Sequence, residues 1–262
     1  MPDRKPFVGG NWKMDTNRTT GSDLARGVAD GLVHVDGVDV AVFPPFPYLL
    51  TVRAILRDRG STAMLGAQDV YFQGDGAFTG EVSCAMLKDC GVQAVLCGHS
   101  ERRHTVGERD ELVNKKLRAV VEAGLTGVLC VGETLDERTA GHQDIIVSRQ
   151  VRTGLADIPG AHTERLIIAY EPVWAIGTGN TATPDDAQVM HAMIRGALVR
   201  QYGAEIAERV RIIYGGSLKP DIARSIFGQK DVDGGLVGGA SLNAADFVSI
   251  CRASGEASKA KG

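Results

Sequence analysis

Eight short β-rich runs recur along the chain of 262 residues: Phe7 to Trp12, Val38 to Phe43, Ala63 to Ala67, Val92 to Gly98, Gly127 to Val131, Leu166 to Glu171, Val210 to Tyr214 and Gly234 to Val237. Between them lie segments with apolar residues at helical spacing, such as Val113, Leu117, Val120 and Val121, or Ala187, Met190, Ile194, Ala197 and Leu198. Each such segment turns one apolar stripe toward a sheet. A strand, a loop, a helix and a return turn together take roughly thirty residues, and strands joined through helices run parallel. The architecture therefore repeats although the sequence does not. Helix starts are marked as well. Thr183-Pro184-Asp185-Asp186 supplies a capping hydroxyl, a proline at the first helical position and carboxylates where the helix dipole favours them.

Eight units without a break in composition predict closure into a single α/β domain, a (β/α)8 barrel of parallel strands with outer helices, over residues 1–252. An open doubly wound sheet is the competing arrangement. Two absences favour the barrel: no G-x-G-x-x-G follows the first run, and no linker rich in proline or serine divides the chain. The small and polar stretch 253–262 reads as a disordered tail.

The sequence carries 29 basic and 32 acidic residues, a formal charge of -3, which favours neither a nucleic-acid binder nor an acidic tail. An anionic substrate would have to be drawn by local geometry instead of by the overall field. The five cysteines, Cys84, Cys90, Cys97, Cys130 and Cys251, form no C-x-x-C pair and lie mostly in apolar stretches. They read as reduced packing residues of a cytoplasmic protein. The apolar segment near the N-terminus is too short for a signal sequence, and no run approaches membrane-spanning length.

In a barrel of this kind the reacting groups come from the C-terminal ends of strands and the loops that follow, because these converge on one face. That rule selects Asn11 and Lys13 after the first run, His99 and Glu101 after the fourth, Glu171 after the sixth, Ser217 after the seventh, and Gly238 and Gly239 after the eighth. Lys13 is a flexible point charge able to reach over the mouth, with a solvated turn lysine as its ordinary reading. His99 precedes a polar run able to open a helical turn, whose positive end would keep the imidazole neutral; a hydrogen-bonded structural histidine is the alternative. Glu101 either orients Lys13 or is simply exposed, and Arg102 and Arg103 read as ion-pair partners that hold the turns. The Gly-Gly pairs in Tyr214-Gly215-Gly216-Ser217 and Leu236-Val237-Gly238-Gly239-Ala240-Ser241 suit backbone NH groups gripping a phosphate, with Ser217 and Ser241 where short helices begin. No cluster has metal-ligand spacing and no nucleotide motif appears, so no cofactor is expected.

Glu171 poses the sharpest question, since it ends an apolar strand and opens a loop holding Trp174 and Ile176, which gain nothing from water. The segments Gly10-Asn11-Trp12-Lys13, Gly98-His99-Ser100-Glu101-Arg102-Arg103, Ala169 to Gly179 and the two Gly-Gly stretches, in this order along the chain, resemble the triosephosphate isomerase family of TIM barrels. That family is itself a reference case for a carboxylate base working beside a neutral imidazole under a closing loop, so these roles are implied by the resemblance. It implies an isomerase of glycolysis and gluconeogenesis that interconverts dihydroxyacetone phosphate and D-glyceraldehyde 3-phosphate through an enediolate. Glu171 would be the base, His99 the electrophile, Lys13 the electrostatic partner of the substrate oxygens and Asn11 a substrate contact. The NH groups of Gly177, Ser217, Gly238 and Gly239 would hold the phosphate. A lid of Val173 to Ile176, between Pro172 and Gly177-Thr178-Gly179, would close over Glu171 and raise its basicity by desolvation.

Departures from the family pattern are Cys97, Asp15, Asp69 and Asn180, the last placed to alter loop kinetics. Gln68 to Glu81 is too long and too apolar at Tyr71, Phe72 and Phe78 for a solvated connection. It either folds on its own barrel or, as the resemblance implies, enters a neighbouring subunit with Thr79 near its tip and steadies Lys13, which makes a homodimer. Another phosphate-binding barrel enzyme, such as an aldolase, and a non-catalytic phosphometabolite-binding barrel are the remaining readings. The joint presence of Glu171, His99 and Lys13 argues against the non-catalytic one.

Overall fold

The computed structural model describes residues 4–176 and 182–261. Eight strands, β1 (Phe7–Asn11), β2 (Asp39–Phe43), β3 (Met64–Ala67), β4 (Ala94–Cys97), β5 (Thr126–Val131), β6 (Leu166–Tyr170), β7 (Arg211–Tyr214) and β8 (Gly234–Val237), pair in chain order. All pairs are parallel, and β8 returns to β1 with Gly10 opposite Val237, which closes the barrel and excludes the open sheet. Outside the strands pack α1 (Arg18–Gly31), α2 (Leu49–Asp58), α3 (Cys84–Asp89), α4 (Asp110–Glu122), α5 (Leu135–Thr139), α6 (Gln143–Gly154), α7 (Pro184–Tyr202), α8 (Ala204–Ala207), α9 (Pro220–Phe227) and α10 (Ala244–Lys261).

Period-two alternation divides the core into two bodies. Phe7, Ala41, Phe43, Ala94, Leu96, Val128, Cys130, Ile167, Ala169, Ile213 and Leu236 fill the barrel interior. Their neighbours Val8, Val42, Val95, Leu129, Ile168 and Ile212 face the helices. Phe43 occupies room that Gly9 and Gly66 leave open, since a Cβ on either would press into its ring. The interior is thus a packed core and not a pore. Continuing the inward series 167, 169 by one step of two brings Glu171 to the barrel mouth, and the series 7, 9 brings Asn11 there.

The start of α7 is the capping arrangement expected from the sequence: Thr183 Oγ1 accepts the Asp186 NH at 3.1 Å, and the Asp186 carboxylate accepts the Thr183 NH at 3.0 Å. Inside this helix Arg195 gathers the N-terminal end of the barrel. Its guanidinium donates to Asp231 (3.2 Å), Asp233 (2.8 Å) and the carbonyls of Ala207 and Val210. One turn earlier, His191 is fully buried with Nδ1 3.1 Å from the Asp231 carbonyl, and burial pushes its pKa down to about 4.

The chain end differs from expectation. Residues 253–261 are not a loose tail but the last turns of α10, with Ser254, Gly255 and Ala257 buried. The small residues that made the stretch read as disordered are what let this helix lie close to the turn at Asp36, where a Cβ on Gly255 would come within 2.6 Å of the Asp36 carbonyl oxygen. In the Gln68 to Glu81 loop, Tyr71 stacks on Phe72 and Phe78 with centroids 4.7 and 4.8 Å away, and all three rings are half-buried, while Thr79 is exposed. The five cysteines are free thiols, three of them buried. No helix among the described residues is long and apolar enough to cross a membrane.

Candidate active site

The ends of β1, β4 and β6 bring Lys13, Glu101, His99 and Glu171 to one mouth. Glu171 follows β6 and is 2% exposed. Its backbone NH still bonds to the Val131 carbonyl (2.7 Å), which fixes its root. One carboxylate oxygen accepts the Ser100 NH at 2.9 Å, and the other lies 2.9 Å from His99 Nε2. Glycines make room for it. A Cβ on Gly132 would collide with the Glu171 carbonyl oxygen, and one on Gly215 would stand 2.8 Å from Glu171 Cγ. His99, Ser100 and this glycine floor bury the carboxylate. Trp174, on the loop that follows, donates from Nε1 to the fully buried Glu133 at 2.8 Å, and the Arg138 guanidinium lies 4.6 Å from the centroid of the Trp174 ring.

His99 is buried between β4 and a wide helical turn that ends at Val106. The Glu101 NH donates to Nδ1 at 3.3 Å, which makes Nδ1 an acceptor and leaves Nε2 to carry the proton that faces Glu171. Burial is the largest influence and disfavours the imidazolium, but the charge and hydrogen bond of Glu171 together with the charge of Glu101 outweigh it, and the His99 pKa lies above its ordinary value. The balance is struck between burial and these two carboxylates.

Lys13 reaches the same mouth. Its Nζ forms an ion pair with the half-exposed Glu101, 2.6 Å from Oε1. The backbone at Lys13 is left-handed, with φ 53°, a conformation that costs an L-residue about 1–2 kcal/mol. Two side chains hold it there: Asn11 Oδ1 accepts the Lys13 NH at 3.0 Å, and Gln68 Nε2 donates to the Lys13 carbonyl at 2.8 Å. Gln68 also donates to the Phe43 carbonyl at 2.8 Å, which ties the loop after β3 to the ends of β1 and β2.

The Gly-Gly segments flank these groups. Gly238 lies against Lys13, since a Cβ there would be 3.2 Å from Lys13 Cε, and Gly239 opens onto free space. Gly239–Leu242 is a short helical turn, but its buried Ser241 hydroxyl donates to the Asn11 carbonyl at 3.2 Å and so serves the scaffold. Ser217 begins no helix, because α9 starts only at Pro220. Gly177, the hinge glycines and Asn180 lie outside the described residues.

Arg102 and Arg103 are ion-pair partners, as expected. Arg103 bonds Asp110 and the Gly98 carbonyl, while Arg102 reaches Asp69 at 2.9 Å and Glu108 at 2.6 Å. Lys116 completes that buried cluster against Asp69 and Glu108. Burial pushes the Asp69 carboxyl above its ordinary range even so, because Lys116 and Arg102 offset the desolvation only in part. Sequence reasoning missed Glu133, although it too follows a strand end. This carboxylate gathers Tyr170 Oη (3.0 Å), Trp174 Nε1 and Arg138, and its carbonyl accepts the Val173 NH at 3.1 Å. Among the described residues no group of three or more His, Cys, Asp or Glu is arranged to hold a metal ion.

Residues 6–254 match the family pattern described as triosephosphate isomerase. A protein of that name from Carboxydothermus hydrogenoformans is 52% identical over 96% of this chain and 99% of its own length. The triosephosphate isomerase of Chloroflexus aurantiacus is 50% identical over 94% of this chain and 98% of its own. That of Pseudomonas syringae pv. tomato is 47% identical over 96% and 99%.

Proposed function

The chain belongs to the triosephosphate isomerase family, and we propose from that premise that it interconverts dihydroxyacetone phosphate and D-glyceraldehyde 3-phosphate by carbon-to-carbon proton transfer. The observation that carries the reading is the convergence of Glu171, His99 and Lys13 on one mouth, with the carboxylate 2.9 Å from Nε2 and the ammonium 2.6 Å from Glu101.

Glu171 takes a proton from the carbon beside the carbonyl, the electron pair moves to the carbonyl oxygen, and an enediolate results. His99 donates through Nε2–H and Lys13 adds positive charge where that oxygen becomes negative. Preorganised donors of this kind typically contribute about 3–4 kcal/mol each. The hydroxyl proton of the neighbouring carbon passes to that negative oxygen through His99 Nε2, and Glu171 returns its proton to the neighbouring carbon, whose oxygen becomes the new carbonyl. Because the Glu171 carboxylate contributes most to raising the His99 pKa against burial, turning that carboxylate toward a substrate carbon shifts the ring toward its neutral form. Asn11 sets the Lys13 backbone and also contacts substrate. The NH groups of Gly177, Ser217, Gly238 and Gly239 hold the phosphate, a role supported by the position of Gly238 against Lys13 and by the family pattern.

The same reading makes the active species a homodimer. Met14, beside Lys13, is 99% exposed, and the aromatic loop that begins at Gln68 presents the exposed Thr79 as its tip. The free thiols suit a reducing compartment, and we place the chain in the cytoplasm.

A coupled assay with no added metal, glyceraldehyde 3-phosphate in and dihydroxyacetone phosphate out, tests the activity. In deuterated solvent the product should carry deuterium at the carbon that receives the proton. A purified, folded protein that binds triose phosphates yet neither isomerises nor exchanges would overturn the proposal.

A further inference from the structure

At the end of the barrel opposite Glu171 the strand starts leave a cavity of about 560 Å³, within the range of small-molecule sites. Its walls are the segment before β1, the residues leading into β8, the turn at Gly37 and the last turns of α10. Five basic side chains line it, Arg4, Lys5, Lys230, Lys259 and Lys261, against the single acid Asp233.

Most of these groups already have partners. Asp233 accepts Arg4 at 2.8 Å and Arg195 at 2.8 Å, so its charge is neutralised within the scaffold. Lys5 pairs with Asp39, and Lys261 donates to the Val232 carbonyl at 2.9 Å. Lys230 and Lys259, on different walls, have no ion pair among the described residues.

We propose that this cavity is a binding site for a small polyanion of the pyrophosphate class, with Lys230 and Lys259 meeting its charges from two sides. Two separate ammonium groups suit two linked anionic groups better than one, and the cavity admits them. The ligand would join the N-terminal segment, the start of β8 and the end of α10, and so stabilise the fold without entering the reaction.

The test is calorimetric titration of inorganic pyrophosphate into the enzyme held at saturating, equilibrated triose phosphates, so that the barrel mouth is occupied. Inorganic phosphate forms a parallel arm. A single-site isotherm for pyrophosphate, weaker or absent for phosphate, is expected. K230Q/K259Q should weaken it by about tenfold or more, on the scale of two exposed charge contacts, with isomerase activity unchanged. An absent isotherm in the saturated enzyme, or one that survives in the double variant, would overturn the proposal; so would binding that only competes with substrate. Both lysines are exposed and remote from the mouth, so the double variant is expected to fold.

Discussion

Glu171→Gln separates the chemistry of the carboxylate from its place in the fold. The amide has nearly the same shape, so the glycine floor at Gly132 and Gly215 still admits it. What changes is hydrogen-bonding capacity. Two donors, the Ser100 NH and His99 Nε2–H, each 2.9 Å from a carboxylate oxygen, face a group with one acceptor oxygen. One donor loses its partner, and a hydrogen bond to a charged group contributes about 1.5–3 kcal/mol, so unfolding by denaturant should show a loss of that size near neutral pH. Removing the base should lower turnover by about 10²–10⁴-fold, or about 3–5 kcal/mol of barrel-mouth catalysis. The inhibition constant of a phosphate-bearing substrate analogue should stay within about threefold, since no phosphate contact is touched.

His99 supplies an independent readout of the same substitution. Burial remains while the Glu171 charge is gone, so its titration midpoint, followed by NMR of the imidazole, should fall below that of the wild type. The sign of the linkage follows. A raised folded-state pKa gives stability that is present below the unfolded value, about 6.5, and is lost as pH rises through the folded value. That component should vanish in the variant. Turnover within about tenfold of wild type would refute Glu171 as the base, and an unmoved His99 midpoint would refute the account of the ring.

His191 should give the opposite pH signature: with a folded pKa near 4 against about 6.5 unfolded, it erodes stability as pH falls through that interval, by up to about 3 kcal/mol. His191→Phe should flatten the stability profile between those values in pH-dependent denaturation. Arg195→Met leaves Asp231 and Asp233 short of a buried partner and should lower stability by about 3–5 kcal/mol, seen as a fall in melting temperature with turnover of the folded fraction kept. Glu101→Gln weakens an exposed pair whose stability contribution is under about 1 kcal/mol, yet it releases Lys13, so catalytic efficiency should fall while unfolding hardly changes. Sedimentation of Thr79→Asp should show dissociation toward monomer if the loop enters a neighbouring subunit, and a fully active monomer at assay concentration would count against the dimer.

The barrel was legible because the signals are local. An apolar run bounded by glycine or proline has few ways to be anything but a buried strand, and β8 ends where its run ends, at Val237. Period two then carried Asn11 and Glu171 to the mouth. Less legible were contacts between side chains distant in the chain. Gln68 reaches the Lys13 carbonyl across 55 positions and Trp174 reaches Glu133 across 41, and nothing local to either residue announces the other. The tail failed for another reason. Serine, glycine and alanine look like disorder until a neighbouring turn is present to be packed against, and Asp36 lies more than two hundred residues upstream. The His99 expectation considered a dipole and omitted the carboxylate across the mouth, which the linear order does not put beside it.

The two glycines beneath Glu171 bear on what this scaffold can become. Alanine at residue 132 would strike the Glu171 backbone carbonyl, and alanine at residue 215 would crowd the Glu171 Cγ, so either would displace the acid before any question of reactivity arose. Attempts to retrain the barrel on other sugars therefore inherit a steric veto at these two sites.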